Sequence, residues 1–128
     1  MFEKLNVFKI AYSMATHAGK RQAVVSENMA NANTPGYHAK DIRPFRELYE
    51  ARDAQGDMIA SRGSHLNGSD GSGFDWAVYE DDSYVDPNDN SVNLEEQILN
   101  GVEAKRQHDR ALAIYQSSMT ILRTSLGK

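Results

Sequence analysis

The sequence predicts a mainly α fold in which two long terminal helices form a coiled-coil-like hairpin around a small irregular middle containing short strands. Three observations carry this prediction. Near both ends, apolar residues recur at alternating steps of three and four, the spacing of a helix seam. Over 55–73, glycines interleave with Ser, Asp and Asn, and no helical period survives, so this stretch reads as a flexible connection. Between these regimes, Thr34-Pro35-Gly36-Tyr37 stops the first helix. Proline lacks a backbone N–H and pushes its predecessor out of the α region, and glycine supplies the positive φ of a type II turn. The chain therefore divides into 1–33, 34–92 and 93–128.

Over about 4–33 the seam runs through Phe8, Ala11, Ala15, Ala18, Gln22, Val25, Met29 and Ala32, with Gln22 its one polar break. The alanines admit a close partner helix, and some 30 helical residues make a rod of roughly 45 Å. Leu5, Val7, Ile10, Tyr12, Met14 and Val24 lie off the seam. Apolar side chains on more than one face imply burial from more than one side.

After the turn, Ile42-Arg43-Pro44-Phe45 predicts an extended segment, then a short helix over 45–54 with Pro44 at its start. Phe74, Trp76 and Val78 alternate with polar or small residues, which predicts one strand, with Met58-Ile59-Ala60 as its hairpin partner. Such a sheet is too small to stand alone. Asn93 caps the second long helix, with Glu96 three residues on in a capping-box arrangement. Its seam is Leu94, Ile98, Gly101, Lys105, His108, Leu112, Tyr115, Met119, Leu122 and Leu126. Ala111, Ile114 and Ile121 add a second stripe beside the stronger later half.

Composition narrows the function. Hydrophobic residues are 40% and charged residues 25%, enough for a modest core. No apolar run reaches membrane-spanning length, and the first residues lack the layout of a cleavable signal peptide. With no cysteine there is no disulfide or thiol chemistry. Residues 1–46 hold seven Lys or Arg against three Asp or Glu, 47–100 two against thirteen, and 101–128 five against two. An acidic middle and unclustered basic ends argue against nucleic acid.

Chemical motifs are missing where they would matter. Asp86-x-Asn88-x-Asn90 follows the first half of a calcium loop, but Ser91 replaces the turn glycine and Gln97 the bidentate Glu. A capping and turn role fits better. His17, His38, His65 and His108 show no ligand spacing. Gly71-Ser72-Gly73 is no nucleophile elbow, and Asp81-Asp82 lie in a polar loop. No phosphate-cradling loop opens a helix. The expectation is no enzyme, with no catalytic, cofactor-binding or metal residues, no cofactor and no small-molecule substrate.

One string is more specific. Val24-Val25-Ser26-Glu27-Asn28-Met29-Ala30-Asn31-Ala32-Asn33-Thr34 resembles the N-terminal signature of bacterial flagellar rod and hook proteins. The continuation Thr34-Pro35-Gly36-Tyr37-His38-Ala39-Lys40-Asp41, with Phe45 and Leu48, is similar to the FlgB-type proximal rod family, and the insertion usual near this turn in FlgC-type proteins is absent. With the C-terminal helix, the resemblance covers about half the chain. The family's Gly-Asn-rich turn before that helix is replaced here by Asp86-Pro87-Asn88-Asp89-Asn90-Ser91-Val92-Asn93.

The resemblance implies a structural subunit of the basal-body proximal rod that polymerises through its terminal helices into a torque-transmitting shaft. It implies export by the flagellar type III apparatus without a cleaved signal peptide, and residence in the periplasmic rod of the basal body. Its implied partners are copies of itself, other rod proteins, the inner-membrane ring adaptor and the export gate. The signature and turn residues are then Asn28, Ala30, Asn31, Thr34, Pro35, Gly36 and Tyr37. The assembly seam is Phe8, Ala11, Ala15, Ala18, Val25, Met29, Leu112, Tyr115, Met119, Leu122 and Leu126. The alternative is a monomeric helical-hairpin module that docks one amphipathic partner helix. Apolar residues on several faces favour the polymer.

Overall fold

A computed structural model of the chain describes residues 2–54 and 76–127. In order, these form helix α1 (Phe2–Ala30), strand β1 (Ala39–Ile42), helix α2 (Phe45–Ala54), strand β2 (Val78–Asp81) and helix α3 (Leu94–Ser125). The 55–73 stretch, the 58–60 strand partner and Phe74 lie outside the described residues. Among the described residues, no helix is long and apolar enough to cross a membrane.

Helix α1 spans about 43 Å and α3 about 48 Å at 1.5 Å per residue. At the end of α1 the Asn31 N–H is shared between Glu27 O and Asn28 O, at 3.1 Å each, and Ala32 N bonds Met29 O at 3.3 Å. The last turn tightens before Pro35 forbids continuation. Tyr37 N then donates to Thr34 O at 3.3 Å, and Gly36 sits at φ +73°, so Thr34–Tyr37 is the expected tight turn. Asn93 caps α3 through Oδ1, which accepts from Glu95 N and Glu96 N. The return bond that would complete a capping box, from Glu96 to Asn93 N, is not formed among the described residues.

The two long helices pack antiparallel: Asn28 near the end of α1 meets Gln97 near the start of α3, and Phe8 meets Tyr115 edge-on at 5.2 Å. Their contact runs along small residues. Ala11 and Ala18 on α1, and Ala104 and Ala111 on α3, are buried, with Val25 beside them. This seam departs in phase from the sequence expectation. On α1, Arg21 and Asn28 point inward where Gln22 and Met29 were expected, and these two are exposed. On α3 the buried positions are Gln97, Ala104 and Ala111, one residue before Ile98, Lys105 and Leu112. The physical reason is closeness. Alanines let the backbones approach, and bulkier side chains on neighbouring positions are turned outward.

Strand β1 lies between α1 and β2. It pairs antiparallel with β2 in the register Ala39↔Asp81, Lys40↔Glu80, Asp41↔Tyr79 and Ile42↔Val78. Among the described residues the second strand pairs with the segment after the proline turn, and it begins at Val78, with Trp76 before it. Ile42 and Ala39 are buried, whereas Val78 and Tyr79 on β2 are exposed. Helix α2 begins where expected, with Pro44 O accepting from Glu47 N and Leu48 N at 3.1 and 3.3 Å.

Candidate functional site: the signature joint and the outward apolar faces

The signature residues and the stretch before α3 close on each other. Asn28 is 0% exposed. Its Nδ2 donates to Lys40 O at 2.7 Å and to Gln97 Oε1 at 2.9 Å, and its Oδ1 accepts from Lys40 N at 3.0 Å and the Tyr37 hydroxyl at 3.1 Å. Two donors and two lone pairs are the full capacity of an amide side chain. Bonding both N and O of Lys40 is what a neighbouring strand would do, so one side chain substitutes for a third strand against β1. A two-stranded ribbon needs such support.

Asn90 acts from the other side. Its Nδ2 donates to Asn31 O and Thr34 O at 2.9 and 2.8 Å, and its Oδ1 accepts from Val92 N at 2.8 Å. Both carbonyls belong to the turn after α1, where a helix end leaves such groups without helical partners. Ser91 Oγ accepts from Ala39 N at 2.6 Å, Ser91 N donates to Tyr37 O at 3.0 Å, and Gly36 N donates to Asn88 O at 3.1 Å. Thr34 Oγ1 reaches Asn31 Oδ1 at 3.2 Å. Asp89 holds φ +61°, a left-handed position that Asp tolerates, and Asp86 N bonds Asn90 O at 2.8 Å. The Asp86-to-Asn93 string, which departs from the family pattern, is therefore the surface that receives the signature turn. Ala30, Pro35 and Gly36 themselves are exposed.

Arg21 ties the middle of the hairpin to the ribbon. Its guanidinium reaches Asp41 at 3.3 Å, Glu103 at 3.4 Å and Asn100 Oδ1 at 3.1 Å, linking α1 to β1 and α3. His17, also 0% exposed, lies against Phe45 and Trp76 with ring centroids at 5.8 and 5.1 Å. Burial holds its imidazole below the usual range, against the raising effect of the Arg43 carbonyl. Sequence reading missed Arg21, His17, Ser91, Asn90 and Gln97. The available signal was spacing: Arg21 and Asn28 are seven apart on α1, as Gln97, Ala104 and Ala111 are on α3.

His38, Glu80 and Asp82 place their ligand atoms within 4.8 Å of one another, a meeting the sequence spacing hides. The His38 Nδ1–Asp82 Oδ1 pair at 2.7 Å raises the His38 pKa. Hydrogen bonding accounts for this solvent-facing group without an ion.

The assembly-seam residues separate into two groups. Ala11, Ala18 and Val25 are buried within the chain, and Phe8, Ala15, Met119 and Leu122 are half-buried. Met29, Leu112, Tyr115 and Leu126 are exposed, the last at 70%. Other large apolar side chains join them: Tyr12 at 74%, Leu99 at 66%, and Leu5, Ile98, Val102 and Ile121. A groove of about 660 Å³ runs between the helices, and its lining includes Ala18, Gly19, Ala23, Gly101, Ile98 and Val102. Isolated exposed leucines are ordinary, but apolar side chains spread along two helices mark contact surfaces.

Comparison with known proteins agrees with this geometry. The sequence profile of the family described as "Flagella basal body rod protein" matches residues 11–38, the stretch from the buried Ala11 through Asn28 to the turn. The flagellar basal body rod protein FlgB of Agrobacterium fabrum is 34% identical over 119 residues, covering 90% of this chain and 88% of that protein. FlgB of Buchnera aphidicola subsp. Baizongia pistaciae is 28% identical over 111 residues, covering 80% and 81%. FlgB of Aeromonas hydrophila is 48% identical over 42 residues, a third of each chain. Shared identity along nearly the whole length, with a joint built from the signature residues, places this chain in the FlgB-type family of flagellar basal body rod proteins.

Proposed function

We propose that this rod subunit polymerises through its terminal helices, 1–33 and 93–128, into the proximal part of the drive shaft, with 34–92 forming the connection between them. The family is structural, and the subunit's work is to hold position under torque rather than to catalyse. The observation that carries the polymer reading is the exposure of Leu5, Tyr12, Leu99, Leu112, Ile121 and Leu126, spread over more than one face of the two long helices. Burying each such side chain against a neighbour contributes roughly 1.5–3 kcal/mol, so a subunit that turns within the shaft must expose it again. In this reading the partners are copies of the same chain, other rod proteins, the inner-membrane ring adaptor and the export gate. The site of assembly is the periplasmic rod, reached by type III export without a cleaved signal peptide.

A second reading rests on the groove between α1 and α3, whose small lining residues suit one amphipathic helix of a single partner. Tyr12 and Leu112, which do not line that groove, separate the two readings. Leu112→Glu leaves the intrachain seam intact, so the subunit should fold and be secreted yet fail to enter rods. Normal basal bodies in Leu112→Glu cells would overturn the polymer reading.

A further inference from the structure

We propose that His17 is a pH-sensitive latch: as the neutral ring it fastens the middle segment to the helical hairpin, and on protonation it lets that segment go. The ring joins three parts of the chain. Its Nε2 stands 2.7 Å from Arg43 O, just before α2, and a carbonyl only accepts, so Nε2 carries the hydrogen. Its Nδ1 stands 2.9 Å from Gln107 Nε2 on α3, and that amide nitrogen also donates to Met14 O on α1 at 3.0 Å. Nδ1 is therefore bare and accepts. Phe45 and Trp76 cover the ring.

This arrangement has no place for a second proton. An N–H on Nδ1 would face the Gln107 NH2 group. Turning the amide over brings its oxygen to the new N–H, but sets that oxygen against the Met14 carbonyl. Either orientation leaves a conflict in a site where unpaired polar groups are costly. The charged surroundings do not offset it. On α1, Arg21 adds positive charge. Asp41 on β1 and Glu103 on α3 are both engaged by Arg21, at 3.3 and 3.4 Å. Gln107, the Arg43 carbonyl, Phe45 and Trp76 are neutral. Because burial lowers the folded-state pKa, the His17 contribution to stability is complete above the unfolded value of about 6.5 and is lost as pH falls through the folded value.

Trp76 is the chain's single tryptophan, and its ring lies 5.1 Å from His17, so its emission reads the latch directly. The full chain, kept dilute, is titrated from about pH 8 to about pH 5 while emission and circular dichroism are followed. The expected result is a reversible emission change with its midpoint below about 6.5, with helical signal retained. His17→Gln should abolish the change and His38→Gln should leave it intact. Should His17→Gln fail to fold, Gln107→Glu decides the matter. Its carboxylate gives a protonated Nδ1 an anionic acceptor and so raises the folded-state pKa, and the acid-driven change should move to lower pH or vanish. Flat emission in the wild type, a transition that survives in His17→Gln, or an unmoved midpoint in Gln107→Glu would each overturn the latch.

Discussion

The two ends of the hairpin are built on opposite principles. At the joint, where α1 turns into β1 and the chain enters α3, contacts are polar and complete. Asn28 and Asn90 are fully buried, and among the described residues no buried side-chain nitrogen or oxygen lacks a partner. At the open end, where the first turns of α1 lie beside the last turns of α3, Leu5, Tyr12, Ile121 and Leu126 face outward. The joint is fixed by bonds within the chain, although Ile98, Leu99 and Val102 beside it are exposed too, and in the proposed assembly a neighbour would cover the open end. Directional bonds suit the first because they fix one geometry, and undirected apolar surface suits the second because it is satisfied only on contact.

The strongest blow to this contrast is Asn28→Ala. It removes four hydrogen bonds and leaves Lys40, Gln97 and Tyr37 groups unmatched, which should cost about 3–4 kcal/mol in urea unfolding of the monomer. Tyr12→Ala at the open end should leave monomer stability within about 0.5 kcal/mol, since Tyr12 is mostly in solvent. Equal losses in the two variants would dissolve the contrast. Next comes Gly36→Val. Its φ of +73° is strained for a β-branched residue, so about 1–2 kcal/mol of stability should disappear, together with swimming. The smallest effect sharpens the picture from the helix itself. Gly19 lies in exposed α1 with nothing within 4 Å of an added Cβ, and Gly19→Ala should raise stability by about 0.5–1 kcal/mol. A thermal melt that moves down instead would mean that helix propensity does not set the energetics of this part of α1.

Much of the architecture was legible in the sequence because its signals are local. Pro35 and Gly36 stop α1, Pro44 opens α2 and Asn93 caps α3, each through its own backbone chemistry. The seam was half legible. Ala11, Ala18 and Val25, read as seam positions, are buried within the chain, but ranking positions by hydrophobicity chose Met29 over Asn28 and Ile98 over Gln97. A buried polar residue cannot be recognised until its partners are known, and Asn28 finds Gln97 across 69 positions of sequence. For the same reason the pairing of β2 with β1 across about 40 residues was not read, and the Asp86-to-Asn93 string was read for its own turn chemistry and not for what it holds. The exposed apolar faces were legible only as excess: more apolar residues than one hairpin buries.

The alanine seam has a mechanical corollary. Ala11 and Ala18 stand one heptad apart, as do Ala104 and Ala111, so sliding one helix past the other by about 10.5 Å would lay alanine on alanine again. One alanine contact would survive such a slide, so the alanines by themselves resist an axial load only weakly. Asn28 on Gln97 opposes such a slide, because seven residues further along α3 it would meet Ala104 and lose its partner. Buried polar groups here behave as the teeth of a spline. They set the alignment in which a smooth shaft element can be loaded without slipping.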